Sequence, residues 1–278
     1  MSLSKSKEVM QRSLSLRATE RQALSYEQHN NVQQEFGIKM IERLQPSKGM
    51  SVLDLGCGTG NLTNVLSERV GPEGRIIAVD PDEDRLQIAR ENYLASNIEY
   101  IEADDKTFPE GQYDLVFVNA VIHWIQDKRA LFEKVYKNLK AGGQFAFVTP
   151  DGVPNMNHGL VKRLFDELVS PDFLPELFST KCLCLRSREY EALGRSLGFV
   201  KVSAETTEHH DKWKNVDDCI VKWFSQLHRG AIDPETFDKK KLQQIKEEYG
   251  DGPIVSKESY RMLSMILLKP ELAASANQ

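Results

Sequence analysis

The chain is expected to adopt an α/β fold. It should be a doubly wound, mostly parallel seven-stranded sheet, with a helical arm before it and helical insertions forming a lid at one end. Three observations predict this. Short apolar runs alternate with helix-period segments between residues 51 and 149, the pattern of parallel strands buried on both faces. A strand ending in an acid runs into a glycine-rich turn and then a helix, VLDLGCGTGN at 52–61. After Pro150 the alternation gives way to two stretches richer in aromatic residues, histidines and prolines.

The elements follow in order. Residues 1–24, basic and Ser-rich at the start, read as a flexible tail. Residues 25–270 read as one domain, whose helical arm over 25–48 ends in the turn signal QPSKG. SVLDL (51–55) is the first strand and NLTNVLSERV (61–70) the helix after it. RIIAVD (75–80) is the second strand, following the turn GPEG. A helix starts behind Pro81 with Asp82, Glu83 and Asp84 in its first turn, where the helix dipole favours anions. IEYIEAD (98–104), YDLVFVNA (113–120) and GGQFAFVT (142–149) are the third to fifth strands. Between the last two, an amphipathic helix over roughly 127–140 puts Leu131, Val135 and Leu139 at core spacing, with Asp127 as its cap and Gly142 as its stop. SREYEALGRSLGF reads as a capped helix, VKVSAET as the sixth strand and YRMLSMILLK (260–269) as the seventh. The cofactor-binding core is then 49–150, the lid insertions fall at about 153–185 and 209–257 and lack obvious strands, and 271–278 is a C-terminal tail.

Bulk properties exclude several partners. A net charge of −5 argues against nucleic acid, because phosphate binding calls for clustered cations, and Lys239–Lys241 reads as a solvated helix face. Four cysteines without a CxxC pair predict neither a metal site nor a disulfide framework, and suit a cytoplasmic setting. No apolar run reaches the roughly 20 residues that span a bilayer, so no membrane association is expected. The expected state is a monomer or a homodimer.

The glycine-rich turn narrows the ligand. A phosphate-binding P-loop needs Lys and then Ser or Thr after its last glycine, whereas Gly60 is followed by Asn61 and Leu62. The dinucleotide fingerprint GxGxxG is replaced by Gly56-x-Gly58-x-Gly60, with Asn61 where the third glycine belongs. S-adenosylmethionine carries no phosphate; it needs close-lying backbone, an acid toward its ammonium, an acid for its ribose hydroxyls and a polar partner for its adenine. Asp54, Asp80, Asp104 and Asn119 stand at the carboxyl ends of expected parallel strands, where open α/β sheets bind ligands. The plainer reading of each acid is a helix cap or strand-end turn residue.

VLDLGCGTG, VDPDEDRLQIAR, IEADD, YDLVFVNA, HWIQD and LKAGGQFAF together resemble class I S-adenosylmethionine-dependent methyltransferases, over roughly residues 25–150. The resemblance implies a Rossmann-like methyltransferase fold with strand order 3-2-1-4-5-7-6 and an antiparallel seventh strand. It implies S-adenosyl-L-methionine as cofactor and S-adenosyl-L-homocysteine as product. It assigns the ribose to Asp80, the adenine to Asp104 and the methionine portion to the backbone of Gly56, Cys57 and Gly58. Asp54, Pro81, Asp105, Asn119, Ala120 and the arm's Tyr26 complete the expected cofactor set.

Two further segments bear on the acceptor. NAVIHWIQD (119–127) puts His123 and Trp124 just after the fourth strand, and the arm YEQHNNVQ sets Tyr26, Asn30 and Gln33 at helical spacing on one face. Both resemble small-molecule carboxyl O-methyltransferases of the juvenile hormone acid and trans-aconitate kind, which implies that Gln33 and Trp124 hold the acceptor carboxylate. Alternatively Trp124 is a core plug and the arm stripe an ordinary wet face. The chemistry suits a carboxylate: it is ionised at pH 7 and needs no general base, only alignment and a dry pocket. Phe165, Phe173, Leu174, Leu177, Phe178, Trp213, Trp223 and Phe224 are the candidates for lining that pocket or for forming the lid's own core. His123 is the one nearby base for a hydroxyl or amine acceptor; otherwise it is a neutral histidine within the loop. A noncatalytic cofactor-binding module is the alternative outside the enzymes.

Overall fold

The computed structural model describes residues 31–152, 159–168, 184–224, 237–256 and 259–271, without the side chains of Asn31, Phe165, Trp223 and Phe224. Its elements begin with helix α1 (Asn31–Leu44), strand β1 (Ser51–Leu55), helix α2 (Asn61–Val70), β2 (Arg75–Asp80), α3 (Glu83–Asn92) and β3 (Ile98–Glu102). They continue with β4 (Tyr113–Asn119), α4 (Lys128–Asn138), β5 (Leu139–Pro150), α5 (Gly159–Leu168), α6 (Ser187–Ser196) and β6 (Val200–His209). The last are β7 (Lys212–Trp213), α7 (Val216–Phe224), α8 (Lys239–Tyr249), β8 (Ile254–Val255) and β9 (Tyr260–Leu268). The main sheet runs β3-β2-β1-β4-β5-β9-β6, parallel through β5, with β9 antiparallel to both neighbours. This is the expected 3-2-1-4-5-7-6 order, with β9 as its seventh strand.

The apolar runs fold as strands because each alternates its side chains between two cores. Leu53, Leu55, Ile77, Val79, Val116, Val118, Phe145 and Phe147 face one core, closed by Leu131, Phe132 and Val135 of α4 and Tyr190 of α6. Val52, Ile76, Ala78, Leu115, Phe117, Ala146 and Val148 face the other, closed by Phe36, Met40 and Ile41 of α1 and Leu66 and Val70 of α2. The sheet is thereby pinned from both sides, and the carboxyl ends of β1, β2 and β4 open on one rim.

Four expectations change. Helix α4 stops at Asn138, not near 140, because the Asn138 side chain donates to Lys134 O and accepts from Gly111 N, closing the helix there. Leu139 then pairs with Tyr113 as strand, and Gly142 lies within β5 at φ 76°, donating to Lys269 O, so it is no helix stop. Asp82 sits outside the first turn of α3 as its N-cap, accepting from the amides of Asp84 and Arg85. β3 ends at Glu102, two residues before Asp104.

The insertions after β5, expected to form a lid, share a core of their own. Leu160, Val161 and Leu164 of α5 pack with Val216, Cys219 and Ile220 of α7, Ile245 of α8, Phe237 and Trp213. The β7–β8 pair joins Lys212 to Val255 and Trp213 to Ile254, a short ladder in a stretch expected to lack strands. Phe173, Leu174, Leu177 and Phe178 lie outside the described residues. Among the described residues, no helix is long and apolar enough to cross a membrane, and no cluster of His, Cys, Asp or Glu is placed to hold a metal ion.

Candidate active site

The turn after β1 is strapped to the end of β2. Gly56 and Cys57 donate their amides to Val79 O at 2.7 and 2.9 Å, and Gly58 donates to Asp80 Oδ2 at 2.9 Å. Two of its glycines are obligatory. Gly56 has φ 77°, and a Cβ there would lie 2.3 Å from a Val121 methyl. Gly60, the cap of α2 at φ 85°, would press a Cβ to 2.9 Å from both Ala89 Cβ and the Tyr100 hydroxyl. Positive φ and close approach each demand glycine.

The acids divide into two kinds. Asp54 is buried, and Thr63 Oγ1 donates to its Oδ2 at 2.6 Å; desolvation nevertheless pushes its carboxyl up to about 7. Asp80, expected at the ribose, is only 5% exposed. Its two oxygens accept from the amides of Gly58 and Asp82, which fixes the glycine turn against β2. Burial raises its carboxyl, against the pull of Arg85 and those amides. Asp104 lies in the turn beyond β3 and spends Oδ1 on the amides of Lys106 and Thr107 and the Thr107 hydroxyl. The Thr107 hydrogen bond is the main reason its carboxyl is held low. Asp105 is raised, chiefly by desolvation and then by Asp104 beside it. Pro81 is partly exposed beside Asp80.

A cleft of about 340 Å³, its open mouth included, lies at the carboxyl ends of β1 and β4. Its lining brings together Gln33, Asp54, Gly56, Cys57 and Asn119 from the expected set. Gly58, Asp80, Pro81, Asp104, Asp105, Ala120, His123 and Trp124 lie outside that lining, and Tyr26 lies outside the described residues. Gln34, Thr59, Asn61 and Leu62 also line the cleft. Of these, only Asn61 had a sequence signal, as the departure from the dinucleotide fingerprint. Its side chain accepts from the Tyr93 hydroxyl at 2.6 Å and donates to Thr59 Oγ1.

Two oxygens in this lining, Gln33 Oε1 and Asn119 Oδ1, are buried and accept no hydrogen bond. An orphaned buried acceptor costs about 1–3 kcal/mol. The cleft therefore favours a ligand that donates protons, such as an ammonium, beside backbone that only glycine permits. The amino-acid end of S-adenosylmethionine has that character. Next along the chain, Ala120 adopts a left-handed φ of 55°, with its amide held by Val148 O at 2.9 Å. That is a strained place for a residue with a Cβ.

The loop after β4 begins with a short 3-10 turn, Ile122–Trp124, anchored by the fully buried Ile122. His123 is buried, 3.4 Å from Thr149 Oγ1, and burial together with the nearby Lys128 ammonium pushes its imidazole down to about 3. Lys128 is itself buried and donates to Ile125 O at 2.7 Å. Trp124 tilts against the His123 ring at 4.9 Å and is 36% exposed, so it is no core plug. Among the described tryptophan side chains, Trp213 plugs a core, that of the insertions.

A family model described as a methyltransferase domain matches residues 46–248. The chain belongs to that family. A trans-aconitate 2-methyltransferase of Afipia carboxidovorans is 30% identical over 212 residues, 73% of this chain and 77% of the relative. A malonyl-[acyl-carrier protein] O-methyltransferase of Acetivibrio thermocellus is 35% identical over 132 residues, 46% of each chain. Among solved structures, the Bacillus subtilis YcgJ protein aligns with a TM-score of 0.56 at 15% identity, covering 86% of this chain and all of that one. Haemonchus contortus phosphoethanolamine N-methyltransferase 2, in complex with S-adenosyl-L-methionine, aligns at 0.52 and 19% identity, over 85% of this chain and 53% of that one. These likenesses show the fold. The protein is an S-adenosylmethionine-dependent methyltransferase, and S-adenosylmethionine is its cofactor.

Proposed function

We propose that the enzyme methylates the carboxylate of a small organic acid with a fairly apolar body, in the cytoplasm, with residues 25–270 acting as one domain. The observation that carries this reading is the place of His123: the one base the sequence offered is buried against Thr149 and lies outside the cleft's lining, where burial also disfavours its charged form. A carboxylate arrives already ionised and needs no base. The acceptors named for the relatives, trans-aconitate and a malonyl group, both carry carboxylates.

When bound, S-adenosylmethionine supplies an electrophilic methyl group on a sulfonium. The chain's own residues position and desolvate. Gly56, Cys57 and Asn119 present backbone and amide at the carboxyl ends of β1 and β4. Trp124, partly exposed in the turn after β4, offers an indole N–H that would orient a carboxylate without adding charge. The insertions after β5, which share an apolar core, are the part of the chain that would keep water from the anion and so keep it reactive.

A panel of carboxylic acids, with amines and phenols beside it, tests the reading. Methyl esters should form, at a rate level from pH 6 to 8 and falling only toward the pKa of the acid itself. Methylation of amines or phenols alone, with activity lost below ~6.5, would point to a histidine base and remove the carboxylate assignment.

A further inference from the structure

We propose that Gln33 belongs to the cofactor and not to the acceptor: its amide oxygen, with those of Asn119 and Asp54, forms a cradle for the ammonium of S-adenosylmethionine, and Gly37 seats the arm helix that carries it. The proposal rests on the cofactor assignment above and is independent of the acceptor's identity.

Besides its apolar packing through Phe36, Met40 and Ile41, the arm has a polar fastening beside the cleft. The Asn119 Nδ2 donates to the main-chain oxygen of Gln33 at 3.0 Å, tying the first turn of α1 to the end of β4. That bond also orients the Asn119 amide, since turning it over would set oxygen against oxygen; its Oδ1 must therefore face elsewhere and is the orphan. One turn further along α1, Gly37 meets Leu62 and Asn119 so closely that a Cβ would come within 2.3 Å of a Leu62 methyl and 3.2 Å of Asn119 Cγ. A side chain there would have to push the Leu62 methyls aside and crowd the Asn119 amide that holds the arm. Seated so, Gln33 lines the same cleft as Asp54 and the glycine turn, with its Oε1 buried and without a donor. Two neutral acceptors and a carboxylate round one cleft suit a group with several N–H donors and positive charge. Trp124, the expected partner of Gln33 in a carboxylate clamp, is absent from this lining.

Calorimetric titration without any acceptor tests this, using S-adenosylhomocysteine and its analogue lacking the α-amino group. The wild-type enzyme should prefer the amino compound by about tenfold or more, the effect of one charge-assisted hydrogen bond. Gln33→Leu should shrink that preference severalfold while leaving affinity for the deaminated analogue nearly unchanged. Gln33→Glu should keep the preference, and Gly37→Ala should lose it with Gln33 still present; circular dichroism checks that each variant is folded. An unchanged preference in folded Gln33→Leu overturns the proposal, whatever happens to affinity overall. If Gln33→Leu does not fold, a preference undiminished in Gly37→Ala overturns it instead. Failure of the wild-type enzyme to bind either compound would sink the cofactor fit itself, a distinguishable result.

Discussion

At the carboxyl ends of the strands, Asp54, Asp80 and Asn119 are sunk among amides and hydroxyls, each tied to a particular backbone or side-chain group. The insertions carry ion pairs nearer the surface, such as Arg163 with Glu167 and Glu248, and Lys246 with Asp217. Such exposed pairs contribute little, so the lid is held by its apolar core. The sheet end is held by apolar packing and by buried polar bonds that also shape the ligand site. The difference teaches where the protein tolerates change. A lid that keeps its apolar core can vary in what it presents to an acceptor, while few residues of the cofactor end can vary at all.

The largest effect should follow from removing the lid's plug. Trp213 is 5% exposed, and a buried Trp→Ala change typically costs about 3–5 kcal/mol. Trp213→Ala should abolish methyl transfer, while S-adenosylhomocysteine affinity stays within about threefold of wild type. A parallel loss of cofactor binding would break the comparison, because lid and sheet end would then be a single cooperative unit.

How far each region was legible in the sequence follows from the same contrast. Strands β1 and β2 and helix α2 coincide with their expected bounds, because a parallel strand buried on both faces leaves an unbroken apolar run closed by turn residues. The lid's ladder, Lys212–Trp213 with Ile254–Val255, was invisible: two residues hold no period. At the site, sequence placed Asp54 and Asp80 on the right strand ends but not their exposure, because the amides that bury Asp80 come from Gly58 and Asp82 and only the folded turn aims them. Asp104 fell to the plainer reading for its Oδ1, as a turn cap, since an acid three residues before a threonine has a local partner at hand. The reach of Gln33 was hidden because it depends on Gly37, whose packing against Leu62 has no sequence signature.

A smaller effect should come from Asp80→Asn, which sharpens the claim that buried bonds shape the site. One acceptor oxygen becomes an amide group facing an N–H, at a cost of about 1–3 kcal/mol. Urea denaturation should register that loss, and cofactor affinity should fall with it as the turn around Gly58 loosens. A stable variant with weakened binding would instead mean that Asp80 contacts the cofactor directly without shaping the turn.

In the wild-type enzyme the smallest effect is a net pH slope, because two opposed slopes nearly cancel in the sheet half. His123 is pushed down to about 3 by burial and by Lys128, so below ~6.5 the unfolded chain binds a proton that the native state refuses. Its contribution is complete above that pH and declines by up to about 1.4 kcal/mol per pH unit as pH falls toward 3. Asp54 runs the other way. Raised to about 7 by burial, with Asp80 adding to the rise and Thr63 opposing it, it keeps a proton that the unfolded chain releases above its ordinary 3.8. Its contribution therefore declines as pH rises from about 4 to 7. Between about pH 4 and 6.5 the two slopes oppose each other, and stability should be nearly level as far as these groups set it. His123→Gln should expose the Asp54 slope, making the enzyme less stable at pH 6.5 than at 4.5, and Asp54→Asn should expose the reverse. Urea midpoints at these two pH values decide it: if both variants keep the level wild-type profile, neither group holds the protonation state that its burial dictates.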